Sequence, residues 1–252
     1  MARDSAIDIA LVFPELLGTY GDGGNALVLQ RRLARRGIAA HIIDVAITDA
    51  IPRQAAIYLL GGGEDSPQFA ALDALRASGA LHHAVDNGAV LLAVCAGFQL
   101  IGTSLPHPDG TSVPGLGLVD AVTTRAPARL VGEVAVRDDA LGTGWLVGFE
   151  NHRGVTALGP GELPLGPRQP ERDCATDGVV HGWIVGTYLH GPVLARNPRF
   201  ADQLLEWVAG PLVPLADPQA ELLHDERYAE LRTARTWPRW VRRPRRSVPP
   251  RP

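Results

Sequence analysis

The amino-acid sequence predicts an α/β fold with a mostly parallel central sheet flanked by helices and a mixed or antiparallel β extension. From residue 7 to residue 94, short apolar runs alternate with segments of helical periodicity, which is typical of a parallel sheet covered on both faces by helices. After Gly115 the pattern changes to short β-rich runs separated by glycine turns. The 252 residues, 46% of them apolar, suffice for one α/β domain or for one domain with an appendage.

The first half of the chain predicts four strands and two helices. Each strand is a short run rich in apolar residues, and each helix carries apolar residues at helical spacing and stops at a glycine. The strands are predicted at 7–13, 38–45, 55–60 and 88–94, and the helices at 26–36 and 69–78. The third strand ends in the glycines at 61–63, and the fourth runs directly into Cys95.

The second half predicts strands at 130–136, 145–150 and 179–189, followed by two helices. The first helix spans 197–208, with Asn197 as its cap and Pro198 at its first position, and the second reaches from 217 to about Arg232. We therefore expect a domain at 1–212 and a C-terminal appendage at 213–252. Its arginine- and proline-rich end, 237–252, is predicted to be a partly disordered, solvated tail, or alternatively a docking segment.

Composition excludes several classes of function. The net charge of −3 and the pI near 6.2 give no general attraction to nucleic acid or anionic lipid. All 24 basic residues are arginine, which excludes a P-loop lysine and a Schiff-base lysine. The two cysteines, Cys95 and Cys174, stand in no metal-ligand spacing, so no metal site is predicted. We expect no membrane span and no signal peptide, and hence a cytoplasmic protein.

The strongest local signal is the segment 90–100, in which an apolar strand runs into Cys95 and is followed by small residues and an apolar helix. This is the layout of a nucleophile elbow, whose tight turn needs small neighbours such as Ala96 and Gly97. The positive end of the helix dipole favours a thiolate there. Taken alone, the pattern also fits a buried structural cysteine.

His190 supplies the context that favours catalysis. It follows a β-rich run and precedes Gly191 and Pro192, so we predict a loop at the carboxyl edge of the sheet, within reach of Cys95. A surface or packing role is predicted for the histidines in no comparable setting, which are His41, His82, His83, His107, His181 and His224.

Acyl transfer at Cys95 requires donors aimed at the developing oxyanion. We expect them to be the backbone N–H groups of Gly62, Gly63 and Ala96, since glycine permits the close approach that such a loop demands. The alternative for the three glycines at 61–63 is an ordinary strand-to-helix turn.

Five blocks of the sequence resemble the cobyric-acid-synthase-like branch of class I glutamine amidotransferases and, within it, the small glutaminase subunits of lipid II isoglutaminyl synthases. In chain order the blocks are 20–25 (YGDGGN), 61–65 (GGGED), 94–99 (VCAGFQ), 148–152 (GFENH) and 186–192 (GTYLHGP). The resemblance implies that Cys95 attacks the side-chain amide of L-glutamine to form a thioester, while His190 moves the protons. It also implies that Arg129 and Gln99 bind the substrate, Arg129 through the α-carboxylate; the alternative for Arg129 is a surface arginine.

The group that orients His190 is not evident from the sequence. Pro192 stands where many class I relatives carry an acidic residue, so we consider a Cys–His dyad, a local group such as Glu150, or a carboxylate from a partner. We favour the partner as a hypothesis. Glu150 and Asn151 are predicted to line the pocket from a turn; alternatively, Asn151 is a plain turn residue and Glu150 a surface partner of Arg153. Asp22 and Asn25 are expected to shape their loop or to meet the partner.

The chain shows neither an ATP site nor a second substrate domain, so an ammonia-using synthetase must be a separate chain. The resemblance implies a Mur-ligase-like subunit, forming a heterodimer, that binds ATP and magnesium and amidates D-glutamate of lipid II at the inner face of the membrane. No cofactor is expected in this chain. The alternatives are a stand-alone cysteine amidase or γ-glutamyl hydrolase, and a non-catalytic scaffold that regulates a synthetase.

Overall fold

The computed structural model describes residues 6–166 and 176–233, which form eleven strands and seven helices. The strands are β1 (Ile7–Val12), β2 (Ala40–Val45), β3 (Ile57–Leu60), β4 (Val90–Val94), β5 (Ser104–Pro106), β6 (Ser112–Pro114), β7 (Ala121–Asp138), β8 (Gly144–Leu158), β9 (Leu163–Pro164), β10 (Val179–His181) and β11 (Ile184–Thr187). The helices are α1 (Gly24–Ala34), α2 (Asp65–Ser78), α3 (Ala80–Asp86), α4 (Ala96–Ile101), α5 (Val193–Arg196), α6 (Pro198–Ala209) and α7 (Pro218–Thr233).

The central sheet has seven strands in the order β2-β1-β3-β4-β11-β10-β9. The first five run parallel, and β10 and β9 add an antiparallel edge. Strands β3, β4 and β11 are buried along their whole length, because helices cover the sheet. The predicted α/β class, with a mostly parallel sheet, is confirmed.

The predicted β extension is in part a separate sheet. Strands β6, β5, β7 and β8 form a second, mixed sheet in that order, dominated by the long antiparallel pair β7–β8. The sequence predicted only the stretches 130–136 and 145–150 of this pair. The part of β7 that was not predicted contains Pro127, which the sequence pattern does not reveal as part of a strand. It also contains a register shift between Arg125 and Leu130.

Two other predictions differ from the structure. The single strand predicted at 179–189 is a hairpin, in which β10 and β11 pair antiparallel and Gly182 takes a positive φ of 54° in the turn. Helix α3 was not predicted at all, since it follows α2 directly across Gly79, which the sequence pattern identified only as a helix end.

The C-terminal helices lie close to their predicted positions. Helix α6 begins with Pro198 after Asn197, and α7 follows across a short linker. Helix α7 packs on the second sheet, where Leu231 contacts the Ala135 and Val147 cluster. The domain boundary at residue 212 stays a prediction, and the predicted tail at 237–252 lies outside the described residues. Within the described part of the chain, no helix is long and apolar enough to cross a membrane.

Candidate active site

Cys95 occupies a strained turn between β4 and α4. Its backbone has φ 52° and ψ −102°, a region that residues other than glycine rarely adopt, and its N–H donates to the Thr187 carbonyl at 2.8 Å. The next turn passes so close to β3 that a Cβ at Gly97 would lie 2.7 Å from Cβ of Leu60. The sequence therefore folds as a nucleophile elbow, because α4 can start this close to the sheet only with glycine at position 97.

His190 is fixed by both sheets. It follows β11, the strand next to β4, and its backbone exchanges two hydrogen bonds with Phe149 of β8, at 2.8 and 3.1 Å. Upstream of it, the buried Asp177 accepts hydrogen bonds from the Thr187 hydroxyl at 2.5 Å and from the Tyr188 N–H at 3.2 Å. The second sheet therefore contributes to holding the imidazole at the carboxyl edge of the central sheet, where Cys95 lies.

A carboxylate from the same chain contacts the imidazole. Asp22, in the loop after β1, has its carboxylate oxygens 3.1 and 3.2 Å from Nδ1 of His190, and the side chains of both residues are only 1% exposed. One of these oxygens also accepts the Gly62 N–H at 2.8 Å. The hypothesis that a partner supplies this carboxylate is therefore wrong for Nδ1, which already faces Asp22.

The bond to Asp22 also corrects the role expected of Gly62. Its N–H was predicted to bind an oxyanion but is taken by the Asp22 carboxylate. A Cβ at this position would lie 2.5 Å from Cε1 of His190, so the loop passes directly under the imidazole. Asp22 and Asn25, which were expected to shape their loop or to meet the partner, accept backbone hydrogen bonds from other segments, since Asn25 accepts from the Leu194 N–H at 3.0 Å.

The electrostatics of the site favour a protonated His190. Burial works against the charged form, but the hydrogen bond to Asp22 and the proximity of the Asp22 carboxylate and the Cys95 sulfur outweigh burial and raise the pKa of His190 from 6.5 to about 10. Nε2, the other ring nitrogen, is buried and has no hydrogen-bond partner among the described residues. Cys95 is nevertheless near enough to raise the pKa of the imidazole. An imidazolium beside a cysteine stabilises the thiolate.

A cavity of about 90 Å³ opens next to Cys95. Arg129 lies in the register-shifted stretch of β7 and lines the cavity together with Arg125 and Arg153. Arg129 donates from Nε to Oδ1 of Asn151 at 2.5 Å and from Nη2 to the Tyr20 hydroxyl at 3.2 Å. The cavity thus combines a nucleophile candidate with guanidinium groups that suit a carboxylate.

The cavity is also lined by polar side chains that bind or stack on their neighbours. Gln99 accepts a hydrogen bond from Nε2 of Gln68 at 3.0 Å, and both side chains line the cavity. His152 also lines it and stacks on Tyr188, with ring centroids 3.8 Å apart. Glu150 is fully buried inside β8, with Oε2 3.6 Å from Nε2 of His152, so the alternative of a surface partner for Arg153 is wrong. The predicted turn is wrong as well, because β8 continues through Glu150 and Asn151, and of these two residues only Asn151 lines the cavity.

The structure therefore brings together Cys95, His190, Arg129, Gln99 and Asn151, which the sequence singled out. Ala96 and Gly63 also line the cavity. Sequence reasoning missed the orienting role of Asp22 and gave Tyr20 and Gln68 no individual role. The first two belong to the 20–25 block, so the signal was the block itself. Cys174 lies outside the described residues. Among those residues, no cluster of three or more potential metal ligands occurs.

Comparison with known proteins gives consistent matches. The model of the CobB/CobQ-like glutamine amidotransferase domain matches residues 8–198. The chain is 34% identical over 197 residues to the GatD subunit of the glutamine-hydrolysing lipid II isoglutaminyl synthase of Staphylococcus aureus, covering 75% of this chain and 79% of that protein. The same subunit of Streptococcus pneumoniae is 31% identical over 206 residues, and the match covers 79% of this chain and 79% of that protein.

A solved structure supports the fold. The glutamine amidotransferase from Thermotoga maritima superposes with a TM-score of 0.54, covering 90% of this chain and 93% of that one. Its sequence identity is 14%, so this likeness concerns the architecture alone.

Proposed function

The chain belongs to the CobB/CobQ-like glutamine amidotransferase family, and we propose that it hydrolyses L-glutamine and passes the ammonia to a separate synthetase. The observation that carries the proposal is the row of Cys95, His190 and Asp22 at one edge of the central sheet. The row has the nucleophile, the proton carrier and the orienting carboxylate that acyl transfer from an amide requires.

The first half-reaction starts from the thiolate of Cys95. It attacks the side-chain carbonyl carbon of glutamine, and the C–N bond breaks as the imidazolium of His190 gives its proton to the leaving nitrogen. The products of this step are ammonia and a γ-glutamyl thioester. In the second half, His190, now neutral, takes a proton from water as the water attacks the thioester, which releases glutamate and restores the thiolate–imidazolium pair.

The oxyanion formed in both steps needs donors that are not already engaged. The N–H of Gly62 is bonded to Asp22, so we assign this role to Ala96 and Gly63. The N–H of Ala96 is the first of helix α4 and has no acceptor within the helix. Gly63 lies in the wall of the same cavity. Two backbone donors are a sufficient oxyanion hole.

We assign the α-carboxylate of glutamine to Arg129. Its Nε and Nη2 atoms are engaged by Asn151 and Tyr20, which leaves Nη1 without a hydrogen bond to another described residue, and the side chain lines the cavity. Gln99, which lines the same cavity, is assigned to the polar groups of the substrate. A guanidinium held at one edge is pre-organised for a carboxylate at the other.

The finer proposal concerns the acceptor of the ammonia. We propose a Mur-ligase-like synthetase that binds ATP and magnesium and amidates D-glutamate of lipid II to D-isoglutamine at the cytoplasmic face of the membrane. It is supported by the two GatD relatives, which are named as subunits of a glutamine-hydrolysing lipid II isoglutaminyl synthase. This chain supplies the ammonia in that scheme and holds no cofactor.

The experiment measures glutamate release and nitrogen transfer with the full chain. Cys95→Ala should abolish glutamate release while the melting temperature stays within a few degrees, because the substitution removes the nucleophile with little change in volume. Wild-type glutamate production by this variant would remove the proposed chemistry. With glutamine labelled at the amide nitrogen, the chain and the synthetase together should place the label in lipid II; complete turnover without any synthetase and without transfer would indicate a stand-alone amidase.

A further inference from the structure

Tyr20 joins the two halves of the site. It lies in the loop after β1, two residues before Asp22, and its ring lies 4.5 Å from the imidazole of His190 at an interplanar angle of 53°. Its hydroxyl accepts hydrogen bonds from Nδ2 of Asn151 at 2.9 Å and from Nη2 of Arg129 at 3.2 Å. One side chain therefore contacts both the proton carrier and the arginine assigned to the substrate.

The hydroxyl closes a ring of three side chains. Arg129 bonds Asn151, Asn151 bonds Tyr20, and Tyr20 accepts from Arg129 in turn. Arg129 is exposed and stands on the irregular stretch of β7, where its long side chain would otherwise sample many rotamers. Burial raises the pKa of Tyr20, the positive charge of Arg129 offsetting part of the rise, so the phenol stays neutral and remains an acceptor for both donors at neutral pH.

The aromatic ring of Tyr20 has a separate effect on His190. It packs against the imidazole at a tilt, while Asp22 bonds Nδ1 of the same imidazole. An imidazole confined in this way keeps the orientation that proton transfer to Cys95 requires.

We propose that Tyr20 is a positioning residue with two separable functions: its hydroxyl pre-orders Arg129 for the carboxylate of glutamine, and its ring keeps His190 aligned with Cys95. The proposal rests on the function proposed above. It assigns glutamine affinity to the hydroxyl and reactivity of the nucleophile to the ring.

Two alkylating probes separate these functions in the full chain, without a synthetase. Iodoacetamide reports on the intrinsic reactivity of Cys95 when its labelling is followed by mass spectrometry of the Cys95 peptide, which separates it from labelling of Cys174. In contrast, 6-diazo-5-oxo-L-norleucine, a diazoketone shaped like glutamine, must first be recognised through its α-carboxylate. Tyr20→Phe should raise the half-saturating concentration of the diazoketone about 10- to 150-fold, the usual effect of a lost hydrogen bond to a charged group. Its maximal rate, its rate with iodoacetamide and its melting temperature should stay close to wild type.

Control variants fix the interpretation. Tyr228→Phe makes the same change on α7, away from the site, and should leave all these quantities unchanged. Tyr20→Leu removes the ring as well and should slow both reagents. In an Arg129→Lys background, Tyr20→Phe should add little, since both changes act on one interaction.

Three results would overturn the proposal. A half-saturating concentration within twofold of wild type in Tyr20→Phe would show that the hydroxyl does not order Arg129. Equal slowing of both reagents with a lowered melting temperature in that variant would reduce Tyr20 to a structural residue. Absence of saturable diazoketone labelling in the wild-type chain would instead contradict the proposed function itself, and the role of Tyr20 with it.

Discussion

Replacing Asp22 by asparagine keeps the shape of the side chain but removes its charge and one acceptor. The native carboxylate accepts from Gly62 with one oxygen while both oxygens face Nδ1 of His190. An asparagine has a single oxygen, so its NH2 group must face either the Gly62 N–H or Nδ1. In the first case two donors meet, and in the second the imidazole must accept at Nδ1 and carry its proton on Nε2, the tautomer that cannot act as a base toward Cys95 or water.

The expected magnitude follows from the raised pKa of His190. A rise from 6.5 to about 10 corresponds to on the order of 5 kcal/mol of preference for the imidazolium, shared between Asp22 and Cys95. If Asp22 provides half of it, the variant loses a factor of about 10² in the protonation equilibrium. The wrong tautomer adds to this, and in a serine-protease triad the same replacement lowers kcat by about 10⁴. We therefore expect Asp22→Asn to lower kcat/KM by about 10² to 10⁴.

The variant should also change the dependence of stability on pH. The folded-state pKa of His190 lies above its ordinary value, so the folded chain holds this proton more tightly than the unfolded chain. The resulting stabilisation is fully present below about pH 6.5 and is lost as the pH rises toward 10. As the pH rises between these limits, the melting temperature of wild type should therefore fall more than that of Asp22→Asn. The basic limb of the pH profile of kcat/KM should move to lower pH in the variant.

The assay compares glutamate release and thermal melts of the two chains across this pH range. Asp8→Asn is a matched control, because Asp8 forms an exposed pair with His41, 3.4 Å apart, at the amino end of β1, whereas Cys95 follows the carboxyl end of the parallel strand β4. It should behave as wild type. An Asp22→Asn variant within tenfold of wild type, with an unmoved basic limb, would show that the carboxylate does not orient His190.

Two further variants test the remaining assignments. His190→Ala should lower the rate of glutamate release by about 10² to 10⁴, the usual effect of losing a general acid–base group, and a loss below tenfold would assign the proton transfers to another residue. Arg129→Lys keeps the positive charge but loses the planar fork, so KM for glutamine should rise with kcat nearly unchanged; an unchanged KM would return Arg129 to the surface role that the sequence also allowed.

The sequence predicted the central sheet well because its strands are short, buried and separated by clear turn signals. Strands β1, β3 and β4 lie within one or two residues of their predicted bounds. The second sheet was harder, since β7 alternates between buried and exposed positions irregularly and contains a register shift. Local patterns report the periodicity of one segment. They do not report which sheet that segment joins.

The same distinction explains the site. Cys95 was predictable because the elbow is encoded locally, by an apolar strand followed by small residues. The orienting carboxylate was sought two positions after His190, where Pro192 stands, but Asp22 lies 168 positions earlier in the chain. What unites them is strand order: β1 is next to β3, β3 to β4 and β4 to β11. The loops that follow parallel strands meet at one edge, so an acidic residue after β1 is brought to a histidine after β11 by the topology of the sheet rather than by any spacing in the sequence.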